Sequence, residues 1–321
     1  MARIALLSNP RSTGNRSLLP KVRSFCAEHQ DIFHYEVEHV EQIGAALRTI
    51  ALVKPKVLVI NGGDGTVQAA LTELHHGGHF PDGPPPVAVL PNGKTNLIAL
   101  DLGAHGDPIL ALERVLALAE TDMMDHIVSR ELIQLNADGR KVLGMFLGGA
   151  GLADIILYCR HKIYPLGLPN GVSHVLAFFA ALISIMFGAR GRYLPPRPAP
   201  IKVSVMSHGE HQGQFTLLMV TTLQRLLLKG SMPPFGHKAG AMQLMMIDGR
   251  RSTLLRVLIA AALGRLGRSL TQGVHLERGD EIRIEGDHSS VILDGELFEA
   301  NVDRPIILRP TAPVPFLRLA A

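Results

Sequence analysis

Four short stretches of this 321-residue chain combine glycine, asparagine and carboxylates in patterns suited to phosphate chemistry: SNPRSTGN (8–15), NGGDGT (61–66), PNGKTN (91–96) and LDGE (293–296). In NGGDGT, the glycines Gly62, Gly63 and Gly65 tolerate positive φ and let backbone N–H groups converge on an anion. A following helix N-terminus would add its partial positive charge, completing a phosphate cradle that ends at Thr66. As a lone motif, Gly-Gly-Asp-Gly is equally an ordinary turn. Asp64 is the unusual member, because a carboxylate facing phosphates repels them. Its presence makes sense if Mg2+ or a transferring proton lies between. The plainer alternative is that Asp64 caps the following helix and only shapes the loop.

LDGE places two carboxylates, Asp294 and Glu296, around a glycine. On local grounds Asp294-Gly295 is a hairpin turn. The carboxylates gain chemical meaning if the fold carries them to the glycine loop, since phosphoryl transfer to an alcohol needs a group that accepts the hydroxyl proton.

The elements that would position these loops are legible from periodicity. Up to about residue 125, strand patterns at Ile4 to Ser8, Phe33 to Val37, Val57 to Ile60 and Val87 to Leu90 alternate with helical patterns. The helices are expected at Leu18 to Glu28, Ile43 to Val53, Val67 to His75 and Pro108 to Glu120, as in an α/β domain. Ligands of open α/β sheets bind beyond the carboxyl ends of the strands, where SNPRSTGN, NGGDGT and PNGKTN all fall. From residue 126 the texture becomes β-rich, with strands expected at Ile127 to Leu135, Lys141 to Leu147, Ile201 to Met206, Gln214 to Thr221, Gln243 to Ile247, Glu281 to Glu285 and Val291 to Leu293. Leu254 to Leu270 reads as a basic amphipathic helix among them.

Composition narrows the classes. With 47% hydrophobic residues the chain can bury two cores. Cys26 and Cys159 stand far apart without metal-ligand spacing, which fits two structural thiols in a reducing compartment. An aromatic content of 5% with no Trp argues against the stacking platforms of single-stranded nucleic-acid binders. The net charge of +4 suits phosphate ligands or an anionic membrane surface without singling out either. The opening MARIALLSNP reads as a first strand and not as a signal peptide. VLAFFAALISIMFG, from Val175 to Gly188, is shorter than the roughly 20 residues of a membrane-spanning helix. It reads as a buried core helix or, alternatively, as one that touches a membrane or acyl chains, with Arg190 and Arg192 near headgroup phosphates.

Taken together, the four motifs resemble the diacylglycerol kinase catalytic-domain family, which includes bacterial lipid kinases, sphingosine kinases and ceramide kinases. Their order and spacing fit the family's Asn-Pro loop, nucleotide loop, Pro-x-Gly-Thr-x-Asn loop and late Asp-Gly-Glu turn. The resemblance implies an open α/β nucleotide-binding domain (1–125) and a mainly antiparallel β domain for a lipid substrate (126–305). A last segment, 306–321, would return to the first domain. It further implies ATP and Mg2+ in the interdomain cleft, with Asn9, Gly62, Gly63, Asp64, Gly65, Thr66, Lys94 and Asn96 around the nucleotide and Asp64 acting through the metal. Asp294 or Glu296 would take the proton from a membrane lipid's primary hydroxyl. The expected setting is cytoplasmic with transient, peripheral membrane contact, no nucleic-acid partner and an oligomeric state left open.

The sequence departs from the family pattern at Ala69, Lys94 and Leu97, where an acid, Thr or Ser, and often Asp are usual. It departs again at Ala239, where bacterial members place acids that hold a structural Mg2+. Leu97 leans toward a sphingoid lipid such as ceramide over diacylglycerol, and Ala239 implies that the auxiliary metal site is absent. GGDGT is also found in NAD kinases, so an NAD-kinase-like enzyme with a soluble substrate is one alternative. A catalytically silent lipid- or nucleotide-binding protein is another.

Overall fold

The computed structural model describes residues 3–93, 96–137, 139–167, 170–187, 194–196, 198–206, 209–223, 240–262, 272–286, 289–300 and 304–320. Lys94, Ala239, Arg190, Arg192 and the end of the expected 254–270 helix lie outside them. The first lobe runs β1 (Ile4–Ser8), α1 (Asn15–Glu28), β2 (Ile32–Glu36), α2 (Ile43–Leu52), β3 (Val57–Asn61), α3 (Asp64–His76), β4 (Val87–Val89), α4 (Leu97–Asp101), α5 (Pro108–Glu120) and β5 (Ile127–Arg130). The second holds β6 (Ile133–Ala137), β7 (Arg140–Gly144), β8 (Phe146–Gly149), α6 (Gly151–Tyr158), α7 (Asn170–Phe187), β9 (Pro200–Val205), β10 (Gly209–Thr221), β11 (Met242–Asp248), α8 (Arg251–Ala262) and β12 (Val274–Gly279). It closes with β13 (Ile282–Gly286), β14 (Ser289–Leu293), β15 (Glu296–Ala300) and β16 (Ile306–Pro310), before β17 (Val314–Leu317).

In β1 and β3 every residue is buried, as expected of parallel strands covered by helices on both faces. The first sheet has the order β2-β1-β3-β4-β17-β5 and is parallel through β17, with β5 antiparallel at the edge. Because the chain steps from β1 outward to β2 and then back past β1 to β3, the loops after β1 and β3 diverge from one crevice. That is the switch point where open α/β sheets bind ligands.

The second sheet is antiparallel, in the order β15-β14-β8-β10-β9-β13-β16-β6-β7, with β11 and β12 joined through β10. Strand β10 curls it: its first half pairs with β9, and its second half pairs with β8 and β11 after an irregularity between Phe215 and Leu217. Such a bulge re-aims a strand and tightens the local twist.

Two expectations are corrected here. The single strand expected from Ile127 to Leu135 is two strands in different sheets, β5 in the first and β6 in the second, so the first sheet extends beyond residue 125. The strand expected from Lys141 to Leu147 is likewise broken at Met145. Of the last segment, β16 stays in the second sheet while β17 inserts between β4 and β5 of the first.

Candidate active site

Buried asparagines tie the three loops of the first lobe together. Asn92, after β4, donates through Nδ2 to Asn15 Oδ1 and to Asn61 Oδ1 (2.8 Å). Asn15 Nδ2 donates to the carbonyls of Asn9 (2.7 Å) and Asn61 (3.1 Å), and Asn61 Nδ2 donates to Ser8 Oγ (3.0 Å). Asn9 Nδ2 donates to Thr66 Oγ1 (2.9 Å), while Gly63 N donates to Ser12 Oγ (3.0 Å). A primary amide both donates and accepts, so it can satisfy loop backbone that has no ladder partner. A side chain on Gly14 would collide with Asn92, and one on Gly62 would collide with Thr66, so close packing requires glycine at both positions.

The loop after β3 ends at Gly63, the N-cap of α3, which has no side-chain cap; Asp64 is the first residue of the helix and not its cap. Asp64 Oδ1 lies 3.1 Å from where a Cβ on Gly93 would stand. Asn96 accepts a hydrogen bond from Gly93 N at 2.6 Å through Oδ1 and adopts left-handed backbone, so it closes its own loop.

Helix α3 also carries the contact between lobes. Gln68, 2% exposed, donates through Nε2 to the carbonyl of Leu293 (2.8 Å), and Leu143 N donates to Thr72 Oγ1 (3.1 Å). Leu293 immediately precedes the late turn. Asp294 and Gly295 have φ of 45° and 97°, forming the two-residue connection between β14 and β15, as a type I′ hairpin requires. LDGE is thus the tight turn that local reading expects, and the fold hangs it over the glycine loop.

The result is a cleft of about 370 Å3 between the lobes, lined by Arg11 and Ser12 from the first loop, Gly63 to Thr66, Asn92 and Gly93, and, from the second lobe, Arg160, Asp294, Gly295 and Glu296. Asp294 is held by two backbone donors, Met145 N to Oδ2 (2.9 Å) and Phe146 N to Oδ1 (3.0 Å). Burial pushes its carboxyl up to about 7; the two amides oppose this, and the charge of Asp64 adds to it. Glu296, whose carboxyl is raised by desolvation, reaches to 3.7 Å from the Cβ position of Gly65 and has no hydrogen-bond partner among the described residues.

A second cavity of about 490 Å3 opens from the same place. It shares Asp64, Arg160, Asp294 and Gly295 with the first, but its walls are Leu97, Ile98, Phe146, Leu152, Ile155, Ile156, Ala177 and Ile292. Arg160, just past α6, donates through Nη2 to the Gly295 carbonyl (2.8 Å) and stands at the junction of the two.

Of the residues singled out in the sequence, Asp64, Asp294 and Glu296 meet in the polar cleft with Gly63, Gly65 and Thr66. Asn9 and Gly62 brace it from behind, Asn96 shapes the third loop, and Lys94 lies outside the described residues. Ala69 packs against the first core, while Leu97 borders the apolar cavity. Sequence reasoning missed Arg160, whose partner Gly295 is 135 positions away, and the bracing roles of Asn15, Asn61 and Asn92. The asparagines could have been found, since each flanks a glycine loop.

The residues fit a nucleotide triphosphate with a divalent cation: open glycines and a helix N-terminus for the phosphates, two arginines at the rim, and three carboxylates whose mutual repulsion a cation would relieve. Among the described residues no group of three or more His, Cys, Asp or Glu forms a ready-made metal site.

Fold and site together define a two-lobed α/β kinase architecture. Residues 3–127 match the family model of the diacylglycerol kinase catalytic domain, so the resemblance drawn from the loops is shown over the first lobe. No curated protein matches the chain. Among solved structures, one from Bacillus anthracis described as a "putative diacylglycerol kinase" is similar with a TM-score of 0.64 and 17% identity, over 97% of this chain and 94% of that one. A diacylglycerol kinase from the same organism gives 0.59 and 15%, over 98% and 96%. An NAD kinase from Archaeoglobus fulgidus in complex with ATP gives 0.50 and 10%, over 98% and 93%. The fold is thus the one shared by these kinases.

Proposed function

We propose that the protein is an ATP-dependent lipid kinase that transfers the γ-phosphate of ATP to the primary hydroxyl of a membrane lipid, a diacylglycerol or a sphingoid lipid such as ceramide. The observation that carries this reading is the meeting of a polar, glycine-lined cleft and an apolar cavity at Asp64, Arg160, Asp294 and Gly295. A soluble acceptor has no use for a largely hydrocarbon-walled pocket ending at two carboxylates, Asp64 and Asp294. A lipid needs both: its chain desolvated and its hydroxyl delivered to the phosphate.

Gly63, Gly65 and the first turn of α3 would hold the phosphates, and Asp64 would hold the Mg2+ that accompanies ATP, an ion that would supply charge neutralisation there. Glu296 takes the hydroxyl proton as the lipid oxygen bonds to the γ-phosphorus and the bond to the departing ADP oxygen breaks. Glu296 suits this role because its carboxylate is available and its affinity for protons is raised. Asp294, with both oxygens accepting amides, is a positioning residue for the turn.

Incubation of the purified protein with γ-labelled ATP, Mg2+ and, in parallel, diacylglycerol, ceramide or NAD tests the reading. Label in a lipid is the expected outcome. Label in NAD alone would replace it with the soluble-substrate alternative, and nucleotide binding without transfer to any acceptor would leave a silent protein of the same fold.

A further inference from the structure

The late turn is anchored many times over on one side and by a single side chain on the other. Up to Asp294 the restraints are dense: Gln68 bonds the Leu293 carbonyl, Asp294 N donates to the Phe146 carbonyl (2.9 Å), and both Asp294 carboxylate oxygens accept backbone amides. Beyond Asp294 they thin out. Gly295 has a φ of 97° with nothing within 4 Å of where a Cβ would stand. Glu296 opens β15, an edge strand that pairs with β14 alone among the described residues. The one described side chain that reaches this half of the turn from another element is Arg160, whose Nη2 donates to the Gly295 carbonyl at 2.8 Å.

That carbonyl matters because a peptide unit is planar, so the Gly295 C=O and the Glu296 N–H turn together. Glycine leaves the plane free to swing. Holding its oxygen fixes the direction in which Glu296 leaves the turn, and burial, not a hydrogen bond, is what acts on the Glu296 carboxyl. The arginine is delivered by the wall of the apolar cavity. It lies in Cys159–Ile163, a π-helical turn that continues α6, and such turns inside helices recur at functional sites. Leu152, Ile155 and Ile156 of the same helix line the apolar cavity, while Arg160 lines both cavities. A guanidinium keeps its charge at every working pH and bonds a carbonyl more strongly than a neutral donor does.

We propose that Arg160 is a positioning residue: by holding the Gly295 carbonyl it sets the peptide that aims Glu296 at the acceptor hydroxyl. The role of Glu296 rests on the lipid-kinase reading, and the test separates the two.

Arg160→Met keeps an aliphatic stem and removes the donor. Arg160 is exposed, so the variant melts as the wild type does. Its kcat with saturating ATP and lipid falls about 10- to 100-fold, the scale of a misplacement near 1 Å, while the KM for lipid stays at the wild-type value. In the Glu296→Gln background the same substitution costs less than about twofold, because residues that act as one unit are not additive. Arg160→Lys, which restores a charged donor, recovers part of the loss. Without any acceptor, amide hydrogen exchange across residues 295–300 is several-fold faster in Arg160→Met than in the wild type, and exchange across residues 141–147 is unchanged.

A full loss in the Glu296→Gln background overturns the proposal, because Arg160 then acts on the phosphates and not through the turn. A raised lipid KM with wild-type kcat also overturns it and makes Arg160 a headgroup contact. So does wild-type exchange across the turn. The exchange measurement needs no acceptor, so faster exchange combined with label in NAD alone, or in no acceptor, upholds the hold on the turn and removes the lipid-kinase reading. Lipid turnover with wild-type exchange does the reverse.

Discussion

The two cavities that meet at Asp294 are built on opposite principles. The polar cleft rests on buried amides: Asn9, Asn15, Asn61 and Asn92 bond one another and the loop backbone, and each is at most 8% exposed. The apolar cavity is walled mainly by hydrocarbon from α4, α6, α7, β8 and β14, with Cys159 and Tyr164 beside it. A directional network fixes atoms to fractions of an ångström, as phosphoryl transfer demands. Packed hydrocarbon tolerates changes of shape provided volume is kept, which suits recognition of a flexible chain. Damage to the first should therefore appear in kcat or in stability, and damage to the second in the lipid KM.

The largest effect falls in the polar cleft. Glu296→Gln should lower kcat by about 10²- to 10⁴-fold with the KM for ATP little changed, the usual range for losing a general base. Steady-state kinetics with saturating lipid checks this, and wild-type turnover would exclude Glu296 from the chemistry. On the apolar side, Ile156→Asp should raise the lipid KM about 10- to 100-fold, because a carboxylate replaces hydrocarbon at the wall, with ATP affinity unchanged. An equal loss of ATP affinity would mean that the cavities are not separate in function.

Behind the polar cleft, Asn92→Ala strips donors from Asn15 Oδ1 and Asn61 Oδ1 and should lower stability by about 1–3 kcal/mol. Thermal melting measures that loss, and the Ile156 variant should melt closer to the wild type.

The smallest effect is a slope. The Asp294 carboxyl titrates at about 7 in the folded protein, against an ordinary value of 3.8. The folded state therefore binds more protons over that interval, and the stability present below pH 4 is lost as pH rises to about 7. Asp294→Asn, which carries no titrating carboxyl there, should show a flatter decline between pH 4 and 7. A slope identical to the wild type would show that Asp294 does not titrate there.

Much of this was open to reading before any coordinates. Strand β1 matched its expected span, α5 ran over the expected Pro108 to Glu120, and the three loops fell at the carboxyl ends of their strands. Helix α6, the strand β12 and the split of the expected 127–135 strand were not foreseen. Gly-rich and apolar stretches such as FLGGAGLADIIL carry no period that separates strand from helix.

What the sequence alone determined is local: which segments are buried strands, because apolar runs such as VLVI must leave water, and which loops can cradle phosphate, because glycine and asparagine permit that backbone. Tertiary structure decided which distant groups share the site. Gln68 and Leu293 are 225 residues apart, and their hydrogen bond sets the Asp-Gly-Glu turn over the glycine loop. Arg160 reached the junction of the two cavities through helix packing, and Asp294 drew its raised proton affinity from burial. Those depend on how two cores close against each other, a non-local packing problem that no short window of residues encodes.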